Sequence, residues 1–179
     1  MKIFIVVGMP ASGKNVARVY AEARQIPYFG TGDMVRGEVE KRGLAPTPEH
    51  IARVSTELRG KDGMGVTRLA LAAALQSGRD PVFLEGMRSW PEIELIREKA
   101  AGVVVAVIAP RELRLHRVAA RGRSDDSPER FDERDEREIL CGASVPIARA
   151  DGYILNTGTM AEATAALDRI VSERIRAQA

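Results

Sequence analysis

Apolar positions along the chain form short unbroken runs, separated by longer stretches with helical spacing. The first run, residues 3–7, leads into a glycine-rich loop and then a helical pattern over about 13–24. A short strand is expected at 27–30. Asp33 reads as the N-cap of a helix to about Arg42, which Gly43 stops. Thr47 followed by Pro48 reads as the N-cap and first residue of a helix to about Arg59. Residues 60–65 read as a loop, and the Ala/Leu-rich stretch 66–76 as a well-buried helix. A second apolar run covers 81–85. Ser89 and Glu92 have capping-box spacing ahead of a helix to about 100. Residues 103–109 are wholly apolar, the mark of a strand buried on both faces. Pro110 opens a helix to about Arg121. The polar stretch 122–128 predicts a mobile loop, 129–140 a highly charged helix, 153–156 a last strand, and 160–176 a final helix. Strands near residues 3, 28, 83, 105 and 154, alternating with helices, predict an α/β fold with a five-stranded parallel sheet and right-handed crossovers.

Composition narrows this reading. A chain of 179 residues with 45% hydrophobic and 29% charged residues is long enough for one domain, 1–179, with a core that needs neither disulfide nor metal. Cys141 is the only cysteine, so no disulfide forms within the chain; it reads as an inert buried thiol in a reducing compartment. No apolar run approaches the ~20 residues of a membrane helix, and the run after Lys2 is too short for a signal segment. A cytoplasmic protein without a membrane partner is expected. The net charge of +2 is too small to argue for nucleic acid. Lysine supplies only five of the 27 basic residues, and arginine, the rest, is the residue that grips phosphates with a planar fork.

The strongest chemical signal is Gly8-Met9-Pro10-Ala11-Ser12-Gly13-Lys14-Asn15. It matches G-x-x-x-x-G-K between a predicted strand and a predicted helix, the context in which backbone N–H groups and a helix dipole cradle phosphate. Lys14 then reaches the β- and γ-phosphates of ATP. Asn15 stands where Ser or Thr normally ligates Mg²⁺; its amide oxygen is a longer, differently angled metal ligand.

Other candidates cluster around this loop in the predicted topology. Thr31-Gly32-Asp33 with Arg36 follows the second strand and makes another anion-friendly helix start. Glu85-Gly86-Met87-Arg88 follows the third. Glu85, at the end of a buried strand, is placed to hold Mg²⁺ or its water shell; Gly86 admits a ligand to the backbone, and Arg88 is set to clamp an acceptor phosphate. Arg117 and Arg121 share a helix face, and Arg130, Arg134 and Arg137 share another. As a set beside a phosphate loop these arginines point to phosphoryl transfer. His50 and His116 have no metal-ligand partners at useful spacing, and Trp90 reads as core packing.

These motifs, in this order, resemble the adenylate kinase and nucleoside monophosphate kinase family of P-loop proteins. The likeness is closest to a group of archaeal P-loop proteins called adenylate-kinase-related or dephospho-CoA-kinase-like. That group also shows Gly43-Leu44-x-Pro46-Thr47-Pro48, the charged run 133–138, and Ala150-Asp151-x-Tyr153. The resemblance covers nearly the whole chain. It implies a three-layer P-loop NTPase fold with an acceptor-binding segment at about 31–65 and a short lid at about 121–137. It implies that Thr31, Gly32, Asp33, Arg36, Gly86 and Arg88 hold an acceptor monophosphate. It further implies that Lys14, Arg88, Arg121, Arg134 and Arg137 act on the transferring phosphoryl, and that the rest of ATP lies near Arg117, Arg121 and the loop containing Gly158. Met87 departs from the family pattern, which has proline there.

The expected activity is ATP- and Mg²⁺-dependent transfer of the γ-phosphoryl to a small phosphate-bearing acceptor, AMP first. A nucleotide-dependent ATPase or switch acting with a protein or RNA partner, and a dephospho-CoA kinase, are the alternatives.

Overall fold

The computed structural model describes residues 1–121 and 127–177. The chain opens with β1 (Lys2–Val7), α1 (Asn15–Ala23), β2 (Tyr28–Gly30), α2 (Thr31–Lys41), α3 (Pro48–Arg59) and α4 (Gly65–Gln76). It continues through β3 (Val82–Glu85), α5 (Trp90–Arg97), β4 (Ala101–Ile108), α6 (Arg111–Arg121), α7 (Pro128–Leu140) and α8 (Ser144–Ala148). It ends with β5 (Gly152–Leu155) and α9 (Met160–Arg176).

All five strands are parallel, in the order β2-β3-β1-β4-β5. Period-2 geometry sorts β1 between two cores even though its run is apolar throughout. Ile3, Ile5 and Val7 pack with Leu71 and Ala74 of α4 and Ile93 and Ile96 of α5. Phe4 and Val6 pack on the other face with Val16 and Tyr20 of α1 and Leu167 of α9. A third cluster, Val35, Val39, Val54 and Val66, joins α2, α3 and α4 beside the sheet.

Register decides what the strands deliver. Gly30 pairs with Glu85, and Glu85 with Val6. The chain therefore leaves β1, β2 and β3 at one level, at their carboxyl ends. Chain order reverses direction around β1, which opens a crevice there, the usual ligand position in such sheets.

The Thr47 cap, with Pro48 at the first helical position, forms as expected, and so does the capping box of Ser89 and Glu92. Asp33 is not an N-cap. Gly30, extended at φ −94° and ψ 135°, takes that position, and Asp33 lies in the first turn of α2, engaged by arginines. Five-residue α8 carries too little sequence to show a period and was not expected. Cys141 is exposed at the end of α7 rather than buried. α4 is buried on one side only; Leu69 and Leu75 face outward. Residues 122–126, within the predicted mobile loop and lid, lie outside the described residues. No helix among the described residues is long and apolar enough to cross a membrane.

Candidate active site

The loop between β1 and α1 is held shut from within. Ser12 N–H donates to the Met9 carbonyl at 3.1 Å. The Lys14 ammonium donates to the carbonyls of Gly8 at 2.8 Å and Met9 at 3.2 Å. Gly13 has φ +92°, a conformation costly for any side chain, and a Cβ there would overlap the Asn156 amide. Burial lowers the Lys14 pKa below 10.5; the nearby carboxylates of Glu85 and Glu138 work against this, and Arg88 and Arg114 add to it.

Outside residues fasten the loop's carbonyls. Asn156, just past β5, donates to the Ser12 carbonyl at 2.9 Å. Arg117 donates to that carbonyl at 3.2 Å, to Ala11 at 3.5 Å, and to the Asn156 carbonyl at 2.9 Å. Arg114 donates to the Pro10 carbonyl at 3.1 Å and grips Asp135 of α7 in a buried two-pronged pair at 2.6 and 2.5 Å. With its carbonyls so occupied, the loop's amides other than that of Ser12 remain for an anion. The Ser12 hydroxyl is buried and has no hydrogen-bond partner among the described residues. An orphaned buried donor in a glycine-turned loop is what a phosphate would satisfy, so these residues fit the phosphates of ATP.

Two clefts meet here, each of about 260 Å³. One is lined by the phosphate loop at Gly8, Pro10 and Lys14, and by Arg134 and Glu138 of α7. The other is lined by Thr31, Gly32 and Arg36 of α2, Ser55 and Arg59 of α3, and apolar residues including Ile51 and Val66. Glu85, Gly86 and Arg88 line both. Gly86 has φ +104°, and a Cβ on it would overlap the Thr31 hydroxyl, so only glycine lets β2 and β3 hand over to the cleft this closely.

Two arginines of these clefts, Arg36 and Arg88, are held by carboxylates. Arg88 Nε lies 3.3 Å from Glu138, while its backbone N–H donates to Glu92 at 2.8 Å. Glu92 is buried, bonded also to Thr67 and Ser89. Asp33 bridges Arg18 of α1 and Arg36 of α2, the latter at 2.5 Å. Burial pulls the Asp33 pKa up, but the two guanidiniums outweigh it and hold the carboxyl below its ordinary value.

The structure thus brings Lys14, Thr31, Gly32, Arg36, Glu85, Gly86, Arg88 and Arg134 together, with Arg117 behind the loop. Asn15 is exposed at the first position of α1. Arg121 and Arg137 are exposed and line neither cleft. Gly158 lies on a separate groove of about 450 Å³ beside β5 and α9, which also includes Asn156. His50 is engaged by the Ala45 carbonyl at 2.8 Å, and Trp90 packs against the core under Arg149, 3.8 Å from its ring. Among the described residues no three His, Cys, Asp or Glu side chains stand together as a metal cluster. A Mg²⁺ carried by substrate phosphates needs only one or two protein ligands; Glu85 and Glu138 are the carboxylates that line the phosphate-loop cleft, and Asn15 lines neither cleft.

Sequence reasoning missed Arg114, Asp135 and Glu138. One signal was present: Phe131 is the sole apolar residue in the first half of α7, and it is fully buried. Counting four and seven residues on from it finds Asp135 and Glu138 on the inward face, and leaves Arg137 outside.

The chain matches the family profile described as AAA domain over residues 7–132. It is 39% identical to a UPF0200 protein of Thermococcus kodakarensis, over 97% of this chain and 98% of that one. It is 39% identical to a UPF0200 protein of Methanosarcina mazei, over 89% and 88%. Among solved structures, TT1252 from Thermus thermophilus superposes with a TM-score of 0.64 at 21% identity, covering 96% of both chains. Shikimate kinase from Bacteroides thetaiotaomicron superposes with a TM-score of 0.62 at 14% identity, covering 96% of this chain and 98% of that one. These two likenesses establish the fold, and the sequence relatives establish the closer kinship: the chain belongs to the UPF0200 family.

Proposed function

We propose that this protein is a phosphotransferase that moves the γ-phosphoryl of ATP onto a small phosphate-bearing acceptor, a nucleoside monophosphate with AMP as first candidate. The observation that carries the reading is the pair of clefts sharing Glu85, Gly86 and Arg88. One cleft holds the phosphate loop; the other opens at the start of α2. A donor and an acceptor bound in them would place their phosphates on either side of the same arginine and carboxylate. That is the arrangement for direct transfer between two bound ligands, in which the protein contributes positioning and charge.

In this reading the Lys14 ammonium exchanges its carbonyl partners for the β- and γ-phosphate oxygens, which offsets the burial that lowers its pKa. The Ser12 hydroxyl donates to a phosphate oxygen. Arg117, Arg114 and Asn156 keep the loop's carbonyls turned away from the anion. Arg36 and Arg88 hold the acceptor phosphate at the N-terminus of α2, and Arg134 meets the charge that develops on the phosphoryl. Arg121 and Arg137 serve the same charge if they approach the clefts when substrates bind. Glu85 and Asn15 would hold Mg²⁺, which neutralises the β- and γ-oxygens when bound.

The test is incubation with Mg·ATP and separate acceptors (AMP, CMP, UMP, GMP, dephospho-CoA), with a control lacking acceptor. Conversion of one acceptor, lost in Lys14→Ala, supports the reading and names the substrate. ADP formed equally without any acceptor overturns it in favour of an ATPase or switch.

A further inference from the structure

We infer that the acceptor carries a second anionic group, apart from the phosphate that receives the phosphoryl, and that Arg59 holds it. This rests on the reading of the α2–α3 cleft as the acceptor site. Three guanidiniums line that cleft, those of Arg36, Arg59 and Arg88, with one carboxylate, Glu85. Two of the three are already matched: Arg36 by Asp33, and Arg88 by Glu138. Arg59 is half-buried and has no carboxylate within ion-pair distance among the described residues. A guanidinium cannot shed its proton at any accessible pH, so it stays charged as water is withdrawn from it. Partial burial of an unmatched charge is unfavourable, and such charges are normally paired.

Placement sharpens the point. Ile51, Ser55 and Arg59 recur every fourth residue of α3, which gives one face, and all three line the cleft. The last turn of a helix favours a cation, but a solvent-facing position on that turn would gain the same benefit without desolvation. The helix dipole therefore explains a cation near residue 59 and leaves its position in the cleft unexplained. An acceptor monophosphate has partners already in the N-terminus of α2, Arg36 and Arg88. Arg59 is a third cation with no role toward it. A ligand bearing a second phosphate would supply the missing counter-charge, while the apolar Ile51 and Val66 of the same cleft accept a base.

The experiment is calorimetric titration of the whole chain, its phosphate loop first filled with a non-hydrolysable ATP analogue. The titrants are AMP, adenosine 3′,5′-bisphosphate and adenosine 2′,5′-bisphosphate; the two bisphosphates distinguish where the second anion sits. At least one should bind about ten- to hundredfold more tightly than AMP, the range expected of a charge-assisted contact. That ratio should fall toward one in Arg59→Gln and be partly restored in Arg59→Lys, with circular dichroism showing that both variants fold. Bisphosphates that bind no more tightly than AMP, or a ratio that survives in Arg59→Gln, would overturn the inference and leave the acceptor reading standing. Failure of all three nucleotides to bind would overturn the acceptor reading and the inference with it.

Discussion

Substitution of Asp135 by Ala removes one half of a buried pair that ties α7 to the phosphate loop. The Arg114 and Asp135 side chains are only 7% and 12% exposed, their two bonds are 2.6 and 2.5 Å, and Arg114 also holds the Pro10 carbonyl. The substitution leaves a buried guanidinium uncompensated, which costs about 3–5 kcal/mol. For a chain of this length about 2–4 °C of melting temperature is lost per kcal/mol, so Asp135→Ala should melt roughly 6–20 °C lower. The same change loosens the docking of α7, which carries Arg134 and Glu138 into the cleft, so phosphotransfer should fall with stability. A double variant separates the two effects. Replacing a whole buried pair by apolar residues is often neutral or stabilising, so Arg114→Met with Asp135→Leu should recover most of the melting temperature. It should not recover phosphotransfer, because the Pro10 carbonyl still lacks its donor. The assays are thermal melting by circular dichroism and ADP formation with the acceptor that the panel identifies. An Asp135→Ala protein that melts within about 2 °C of wild type would refute the reasoning, and so would a double variant with full activity.

Burial lowers the Lys14 pKa below 10.5, so the folded chain releases this proton at lower pH than the unfolded chain does. The stability of wild type relative to Lys14→Met should therefore rise with pH between the lowered value and 10.5; a flat difference in denaturant titrations would count against this. The Asp33 carboxyl is held below 3.8 in the folded state, so its contribution is present above that value and lost as pH falls through the folded one. Because both its pairs are about a third or more exposed, Asp33→Asn should cost no more than about 1 kcal/mol of stability. Its main effect should be a raised acceptor KM through a freed Arg36, with the ATP KM little changed. Gly86→Ala, at φ +104° against Thr31, should impair acceptor binding far more than nucleotide binding in fluorescence titrations. Arg88→Ala should raise the acceptor KM or lower kcat at nearly constant ATP affinity, and an ATP KM that moves as much as the acceptor's would show that Arg88 serves the donor instead.

Local rules made much of this molecule legible in its sequence. The phosphate loop was readable because close backbone approach to an anion needs glycines and a lysine at fixed spacing, between a strand and a helix. The caps at Thr47 and Ser89 were readable because the groups that satisfy them lie within three residues. The three central strands were readable because a sheet covered on both faces needs unbroken apolar runs, and the short edge strands β2 and β5 from their place between helical stretches.

Tertiary structure alone decided the rest. A charged helix with arginines and glutamates on several sides marks its inward stripe only through Phe131, and does not say what that stripe meets. Docking against α6 chose Phe131 and Asp135, and Arg88 met Glu138, which put Arg134 in a cleft and Arg137 outside it. Asp33 looked like a cap because the sequence cannot show Arg18 arriving from another helix. Asn156 and Arg114 reach the phosphate loop from more than a hundred residues away. Arg59 reads as an ordinary last-turn cation until α2, α3 and α4 pack and set it in a cleft with two other guanidiniums. Short-range hydrogen bonding and apolar period are written in neighbouring residues. Which distant charges share a low-dielectric cleft depends on how the elements pack, and no local spacing encodes it.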